Sequence, residues 1–230
     1  MSSEPQYDYD IIVIGAGSGG LACAKEAAPL GAKTLLFDAV EPTPQGTHWG
    51  LGGTCVNVGC IPKKLFHRAA QIGHDINDAP AYGYKDITPG PHKIDWPALV
   101  QDVQNHVLRT NFLYRNALRL KDVNFLRFMA RFKDSHTITY QKKDETVEVT
   151  GKNIVIAVGA RPQYPDIPGA KEYCITSDDL FSRKQEPGKT LCIGASYVSL
   201  ECAGFITELG YDVTVMVRSV LLRGFDREIS

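Results

Sequence analysis

The sequence lacks long apolar runs, a targeting leader and an excess of charge of one sign. No apolar stretch approaches the ~20 residues that a membrane-spanning helix needs. Residues 1–10, MSSEPQYDYD, have neither the apolar core of a secretion signal nor the Arg-rich character of a transit peptide. Lysine and arginine total 25 and aspartate and glutamate 26, a balance that predicts no nucleic-acid and no membrane partner. We therefore expect a cytoplasmic protein.

Cysteine is scarce too, with six in 230 residues. In the reducing cytosol, so few cysteines indicate reduced thiols plus one catalytic pair rather than a structural disulfide framework. Hydrophobic residues make up 43% of the chain and charged residues 22%, which predicts a globular protein with one large domain or two small ones.

An apolar run near the start of the chain ends in a glycine-rich turn. The segment DIIVIGAGSGGL contains the spacing Gly15-x-Gly17-x-x-Gly20. A buried strand, a tight turn that admits a pyrophosphate, and a closely packed helix require glycine at these positions. The helix-like segment 21–30 and a second apolar strand follow, and Asp38 ends that strand where a dinucleotide site holds a ribose hydroxyl. The pattern predicts a nucleotide site rather than a purely structural turn.

Two cysteines, Cys55 and Cys60, follow a glycine pair with four residues between them. In a regular α-helix, their Cα atoms would lie roughly 8 to 9 Å apart, beyond the ~7 Å limit of an unstrained disulfide. A disulfide therefore needs the first cysteine outside the regular helix, or a distorted first turn. A helix N-terminus and Lys63 favour a Cys60 thiolate. A zinc site completed by His48 or His67, and two inert buried thiols, are the alternatives.

The glycine-turn pattern returns in altered form near the C-terminus. The segment KTLCIGASYVSLE predicts a strand, the turn Gly194-x-Ser196-x-x-Ser199, and a helix that continues to Leu209. A stop at Gly210 and the strand YDVTVMVR follow. The chain thus has two similar strand–turn–helix–strand segments, residues 10–38 and 189–218, each of which begins a βαβ unit and is called an opening.

The residues that end the second strand of each opening carry opposite charges. Gly15 to Asp38 spans 23 positions and Gly194 to Arg218 spans 24, so we expect the acid and the arginine in corresponding ribose positions. An acid suits a free ribose hydroxyl, whereas Arg218 together with Arg223 suits a 2′-phosphate. The first site therefore suits a dinucleotide with a free ribose hydroxyl, and the second site suits one that carries a 2′-phosphate. Either arginine alone would more simply be a solvated surface charge.

Helical periodicity predicts two helices between the openings. The first covers residues 61–76 and has three apolar residues spaced for one buried face: Leu65, Ala69 and Ile72. The second begins after an N-cap at Asp95 and covers residues 96–120. Its helically spaced apolar residues are Leu99, Val103, Val107, Tyr114 and Leu118.

Strand patterns occupy the region between the second helix and the second opening. Apolar residues tend toward alternation over 123–149, which predicts short antiparallel strands. The segment NIVIAVGARPQYP predicts a separate buried strand and a glycine turn. Prolines at 162, 165 and 168 mark a domain boundary.

The cysteine segment GGTCVNVGCIPKK resembles the redox-active segment of the flavin-dependent pyridine nucleotide-disulfide oxidoreductases, such as glutathione reductase and thioredoxin reductase. The preceding PTPQGTHWGLGG is similar to the animal-type, high-molecular-weight thioredoxin reductases, and the likeness extends from about Tyr7 to the last residue. It implies an α/β flavoprotein reductase fold with two Rossmann-like dinucleotide-binding domains. Residues 1–163 would form the FAD-binding domain without its returning segment, and 164–230 the incomplete start of the NADPH-binding domain.

The resemblance also implies roles for individual residues. Cys55 would be the interchange thiol, and Cys60 the thiol in charge-transfer contact with the flavin. Lys63 would pair with Glu201, as a buried ammonium near the flavin needs a countercharge. Tyr197 would be the aromatic gate that covers the flavin. The alternative is a core tyrosine and a surface glutamate.

Further residues would contact the cofactors by the same resemblance. Val158 stands where the family usually has threonine, which removes a hydroxyl from that contact. The FAD contacts implied are Gly15, Gly17, Ser18, Gly19, Gly20, Asp38, Gly53, Thr54, Ala130, Val158 and Gly159. The NADPH contacts implied are Gly194, Ala195, Ser196, Tyr197, Val198, Arg218 and Arg223. We expect no metal.

The function implied is an NADPH-dependent disulfide reductase that passes electrons through FAD to the Cys55–Cys60 pair and on to thioredoxin. We expect a truncated form with doubtful turnover, since the family's interface domain, its His-Glu pair and its C-terminal redox tail have no match here. Full-length family members are homodimers. The alternatives are glutathione reductase or thioredoxin glutathione reductase, which act on glutathione disulfide, and a non-catalytic nucleotide-binding remnant.

Overall fold

The structure is a computed structural model that describes residues 6–230, and the chain divides into two compact units. One unit comprises the residues up to Asn57 together with Val107–Ile167, and the other comprises Val58–His106 and Pro168–Ser230. Residues 1–5, on which the prediction of no targeting signal partly falls, lie outside the described residues. The assignment of 1–163 to FAD and 164–230 to NADPH stays a prediction, because a compact unit does not identify its nucleotide.

The first unit contains a six-stranded sheet in the order β3-β2-β1-β6-β5-β4. Its strands are β1 (Tyr9–Ile14), β2 (Thr34–Phe37), β3 (Asn124–Leu126), β4 (Arg131–Phe132), β5 (Thr137–Lys142) and β6 (Glu145–Ile156). Parallel partners lie on both sides of β1, and its Ile12 and Val13 are fully buried. The prediction of a buried parallel strand before the first glycine turn is confirmed.

The helix after that turn, α1 (Ser18–Ala27), begins three positions before the predicted start at Leu21. A short 3₁₀ turn, Ala28–Leu30, extends it to the predicted stop at Gly31, whose φ of 92° is left-handed. Glycine adopts this conformation without the steric penalty that a side chain brings, so the predicted stop is confirmed.

Two strand predictions are wrong. β3 pairs in parallel with β2, so it does not belong to the antiparallel set that β4, β5 and β6 form. The predicted separate strand is the second half of β6, which pairs antiparallel with β5 as far as Thr150 and parallel with β1 from Gly151. A Cβ at Gly151 would lie 2.8 Å from the Ile12 side chain, so glycine lets the strand change partners there. This half is not fully buried, since Ile156 is 65% exposed.

Three further helices follow β2 along the chain. They are α2 (Gly53–Val58), α3 (Cys60–Asp78) and α4 (Trp96–Leu120), with a 3₁₀ turn at Ala79–Tyr82. The Ala98 backbone N–H donates to Asp95 Oδ1 at 3.0 Å, which confirms the predicted N-cap of α4.

The predicted buried face of α3 is wrong by one position. Its buried residues are Pro62, Phe66 and Ala70, whereas Ile72 is 45% exposed. The Phe66 ring decides the orientation, because it packs against the rings of three other aromatic residues at centroid distances of 5.0 to 5.7 Å. These residues are Trp96, Phe181 and Phe205.

The second unit contains the second opening as the sequence predicts it. Its elements are α5 (Ala170–Tyr173), α6 (Ser177–Leu180), β7 (Thr190–Ile193), α7 (Tyr197–Glu208) and β8 (Val213–Met216). β7 and β8 are parallel, and Gly210 ends the helical segment between them with a left-handed φ of 96°. Within residues 6–230, no helix combines the length and the apolar character needed to cross a membrane.

Candidate functional site

The first glycine turn joins β1 to α1 in a conformation that excludes side chains at two positions. Gly15 has a φ of 101°, and a Cβ there would lie 2.3 Å from the carbonyl oxygen of Ala157. A Cβ at Gly20 would lie 1.8 Å from the Gly15 carbonyl oxygen. Around Gly19, by contrast, no atom lies within 4 Å of a built Cβ. The turn therefore packs its helix tightly on the strand and leaves open space around Gly19 in the first turn of α1.

Asp38 follows β2 and meets this turn. The Ala16 backbone N–H donates to Asp38 Oδ1 at 3.0 Å. Burial raises the pKa of the Asp38 carboxyl, and the bond from Ala16 and the charge of Arg127 act in the opposite direction. The structure thus brings the predicted acid beside the predicted turn, and its hydrogen bond to a ribose stays a prediction.

The glycine loop before Cys55 packs against the same turn. The Gly52 N–H donates to the Ala16 carbonyl oxygen at 3.1 Å. Gly53 has a φ of 69°, and a Cβ there would lie 2.6 Å from the Gly17 Cα. The backbone that leads into the cysteine segment is therefore adjacent to the backbone of the dinucleotide turn, at a distance that only glycine allows.

The two cysteines lie in different helices. Cys55 is in α2, Cys60 is the first residue of α3, and Gly59 interrupts the helical backbone with φ −144° and ψ −119°. Of the two arrangements that the spacing allowed for a disulfide, the structure has the first, with Cys55 outside the helix that Cys60 begins. Both residues are thiols in the structure, with Cys60 exposed and Cys55 half-buried. The disulfide between them stays a prediction.

Other cysteines have the character of inert thiols. Burial raises the pKa of the Cys202 thiol to about 12, and burial also raises that of Cys192. Both are therefore protonated at neutral pH, and a protonated thiol is a poor nucleophile.

The predicted ion pair between Lys63 and Glu201 is present within the second unit. Lys63 Nζ lies 2.7 Å from Glu201 Oε2. The hydrogen bond to Glu201 raises the pKa of the Lys63 ammonium, while its partial burial lowers it. The Lys63 side chain is half-buried, with 28% of its surface exposed, and its burial beside the flavin stays a prediction.

The second glycine turn has the same backbone hydrogen bond as the first turn, but it has serine at the position of the third glycine. The Gly194 N–H donates to the Met216 carbonyl oxygen at 2.9 Å, as the Gly15 N–H donates to Phe37 at 2.8 Å. Ser199 occupies the position of the third glycine, and its Oγ donates to the Gly194 carbonyl oxygen at 2.8 Å. This Gly194 oxygen corresponds to the Gly15 oxygen that Gly20 closely approaches in the first turn.

The strand registers correct the expected match between Asp38 and Arg218. Ile14 pairs with Phe37 in the first opening, and Ile193 pairs with Met216 in the second. The residue after Met216 is Val217, so Val217 is in register with Asp38 and Arg218 lies one position beyond. Both predicted arginines are exposed, and Arg223 Nη2 donates to Ser219 Oγ at 2.6 Å.

The last segment of the chain folds back on the second turn, which the sequence analysis missed. The Leu222 N–H donates to the Ala195 carbonyl oxygen at 2.9 Å. The Phe225 ring lies 6.3 Å from the Tyr197 ring in an edge-on arrangement. These are contacts of irregular backbone, for which the sequence has no periodic signal.

Two buried asparagines were also missed. Asn57 Nδ2 donates to the carbonyl oxygens of Gly50, Leu51 and Gly53, and Asn111 Nδ2 donates to Leu51 and to Asn57 Oδ1. The available signal was a polar residue at position 111 on the buried face of α4, four positions after Val107.

Two of the remaining predicted FAD contacts, Ala130 and Val158, differ in how far they are buried. Ala130 packs at the edge of the core around Ile12 and Phe37, whereas Val158, beyond the end of β6, is 64% exposed. In the part of the chain that the structure describes, no three His, Cys, Asp or Glu side chains are grouped so that they could hold a metal ion.

Comparison with known proteins identifies one family model and several thioredoxin reductases that are similar to this chain. The family model described as pyridine nucleotide-disulphide oxidoreductase matches residues 9–230. The chain is 56% identical to thioredoxin reductase 2, mitochondrial, of Drosophila melanogaster, over 100% of this chain and 45% of that protein. It is 53% identical to thioredoxin reductase SEP1 of Emiliania huxleyi, over 96% of this chain and 44% of that protein. The chain is 55% identical to the thioredoxin reductase of Plasmodium falciparum (isolate FCH-5), over 98% of this chain and 42% of that protein. The chain thus spans less than half the length of each of these relatives.

Proposed function

Because the chain belongs to the pyridine nucleotide-disulphide oxidoreductase family, we propose that it contributes an FAD site, an NADPH site and a redox-active cysteine pair to a thioredoxin reductase. Bound FAD would supply two-electron chemistry between the nicotinamide and a disulfide. The observation that carries the proposal is the close approach of Gly53 to Gly17, which sets the segment leading to Cys55 against the first dinucleotide turn.

The residues around the first turn fit FAD. Gly15 and Gly20 exclude side chains, and the α1 N-terminus beside Gly19 is open, so backbone N–H groups can bind a pyrophosphate. Asp38 would accept a hydrogen bond from a ribose hydroxyl, in addition to the one it accepts from Ala16. Because Gly53 has no side chain, the backbone at this position could lie close to the cofactor.

The residues around the second turn fit NADPH. Gly194 has a left-handed φ of 106°, and Ser196 precedes the first residue of α7 in extended conformation. Arg218 and Arg223, both exposed beyond β8, would bind a 2′-phosphate with guanidinium groups. Tyr197, the first residue of α7, would cover the flavin until nicotinamide displaces it.

The cysteine pair would carry out the exchange with the substrate. Reduction of a Cys55–Cys60 disulfide takes up two electrons and two protons and leaves two thiols. Cys55 would attack the substrate disulfide, and Cys60 would then attack the resulting mixed disulfide, which releases the reduced substrate and restores the pair. Lys63, held by Glu201, would place a positive charge three positions after Cys60.

Thioredoxin is the proposed disulfide substrate. The relatives named above are thioredoxin reductases by name, and this favours thioredoxin over glutathione disulfide. A homodimeric assembly and a cytoplasmic location remain predictions, and the name of the Drosophila relative places that protein in mitochondria.

FAD binding tests the proposal through the glycine that carries it. Gly53→Ala sets a Cβ 2.6 Å from the Gly17 Cα, so we expect it to weaken FAD binding by tenfold or more. Gly73→Ala in α3 is the matched control, because a Cβ there meets no atom within 4 Å. Flavin absorbance after equilibrium dialysis of the purified chain measures both. An unaltered chain that binds no FAD, or a Gly53→Ala variant that binds it as well as the control, would contradict the proposal.

A further inference from the structure

The loop that precedes Cys55 is held by two asparagine side chains. Asn57 is 2% exposed, and its Nδ2 donates to the carbonyl oxygens of Gly50 at 3.2 Å, Leu51 at 3.3 Å and Gly53 at 2.8 Å. An amide group has two hydrogens, so these three bonds share them. A single side chain therefore binds most of the carbonyl groups of the loop 50–53.

Asn111 completes the arrangement from α4. It is 8% exposed, and its Nδ2 donates to the Leu51 carbonyl oxygen and, at 3.0 Å, to Asn57 Oδ1. A Cβ at Gly50 would lie 2.5 Å from Asn111 Oδ1, so glycine makes room for the amide. Asn111 thus fixes both the loop and the side chain of Asn57.

This loop needs an external support. Gly50, Gly52 and Gly53 are three of its four residues, and glycine loses more conformational freedom on ordering than any other residue. Cys55 lies two positions after the loop, within α2, so the position of its thiol depends on the conformation of these glycines. The asparagine bonds select one conformation before any disulfide forms.

We infer that Asn111, acting through Asn57, is a positioning residue that favours the disulfide form of the Cys55–Cys60 pair. This inference rests on the proposed redox role of that pair. With the loop fixed, closing the disulfide orders little additional backbone. Without Asn111, the loop stays partly disordered in the dithiol form and becomes ordered only when the disulfide closes. Closing the disulfide then costs additional conformational entropy, so the population of the dithiol form increases.

A redox titration of the full chain tests the inference. Dithiothreitol gives two electrons and two protons to the Cys55–Cys60 disulfide, which opens to two thiols, and the reagent closes to its own cyclic disulfide. The chain is equilibrated in mixtures of reduced and oxidised dithiothreitol, trapped by alkylation and analysed by mass spectrometry. The readout is the disulfide-to-dithiol ratio, which a change in global stability alone does not shift.

Asn111→Ala is expected to lower that ratio about tenfold at a fixed mixture, which corresponds to a potential about 30 mV less negative. Asn105→Ala is the matched control, since Asn105 is an exposed residue of the same helix whose side chain bonds to Gln101. A variant whose ratio equals that of the control overturns the inference. An unaltered chain that forms no Cys55–Cys60 disulfide in any mixture overturns the proposed function as well, so the two failures are distinguishable.

Hydrogen exchange on the unaltered chain provides a test that does not depend on folding of the variant. The Gly52 N–H of the fixed loop donates to the Ala16 carbonyl oxygen, and its exchange is expected to be at least a hundredfold slower than that of the amides of the exposed residues Lys85 and Asp86. Equal exchange rates would mean that the asparagines do not hold the loop, and would overturn the inference.

Discussion

At the scale of single residues, the Lys63–Glu201 ion pair fixes a positive charge three positions after Cys60 in the sequence. Lys63 lies in the first turn of the helix that Cys60 begins, and Glu201 lies in α7. The pair is partly exposed, so solvent screens it and its contribution to stability is modest. Its proposed importance is therefore local, because it fixes the position of a positive charge near Cys60.

Glu201→Gln is expected to lower the free energy of unfolding by less than ~1 kcal/mol near neutral pH. The pKa of Lys63 is raised in the folded chain, so the stabilisation is present below the unfolded lysine value of ~10.4 and is lost as pH rises through the folded pKa. Urea unfolding of the variant and the unaltered chain, between about pH 8 and pH 11.5, measures the difference. We expect this difference to shrink toward the alkaline end.

Glu228→Gln removes the same charge from an exposed residue near the end of the chain and serves as the control. A loss of stability that is equal in the two variants, or independent of pH, would show that the Lys63 ion pair is not its cause.

At the scale of elements, the two glycine turns have the same strand–turn–helix plan but differ in how closely the helix approaches the strand. In the first turn a Cβ at Gly20 would lie 1.8 Å from a carbonyl oxygen, whereas in the second turn Ser199 bonds to the corresponding oxygen. The turns are thus equivalent in topology and unequal in the side chains that they tolerate.

Substitutions in the two turns should therefore differ in severity. Gly20→Ala is expected to lower the free energy of unfolding by about 3 kcal/mol or more, because its Cβ requires the helix to move. Ser199→Ala removes one hydrogen bond and should cost about 1 kcal/mol. Urea unfolding followed by circular dichroism measures both variants.

The neighbouring Gly19→Ala is the control for Gly20→Ala, because a Cβ there meets no atom within 4 Å and alanine favours the helix. A Gly20→Ala variant as stable as Gly19→Ala would contradict the close packing of α1 on β1.

The elements also show what the sequence can and cannot predict. Apolar runs bounded by glycine located β1, β2, β7 and β8, and the Asp95 cap located the start of α4, because these signals are local. The single strand β6 was divided in two, since its change of partner at Gly151 depends on non-local pairing. The buried face of α3 was displaced by one position, because the aromatic partners of Phe66 come from distant segments.

The site shows the same division between local and non-local information. Motif spacing predicted the two turns, Asp38 and the helix break between the cysteines. The asparagine support of the cysteine loop depends on a residue 54 positions after Asn57, which no motif indicates. Counting along the sequence matched Arg218 to Asp38, and only the strand register places Val217 there.

At the scale of the whole molecule, one chain combines two strand–turn–helix motifs, each a proposed dinucleotide site, with a cysteine pair. The family model covers residues 9–230, and each unit contains one of the two turns. The central proposal is that electrons from NADPH reach the Cys55–Cys60 disulfide when FAD is bound.

The most direct test is anaerobic titration of the FAD-loaded, oxidised chain with NADPH, followed by alkylation and mass spectrometry of the peptides that contain Cys55 and Cys60. The account predicts that the disulfide is converted to two alkylated thiols, with one NADPH and one proton consumed for each disulfide reduced, beyond any NADPH that reduces the flavin itself. The Cys60→Ser variant, which cannot form the disulfide, should consume only the NADPH that reduces the flavin. An FAD-loaded chain that oxidises NADPH while the Cys55–Cys60 disulfide stays intact, or that does not oxidise NADPH at all, would contradict the account.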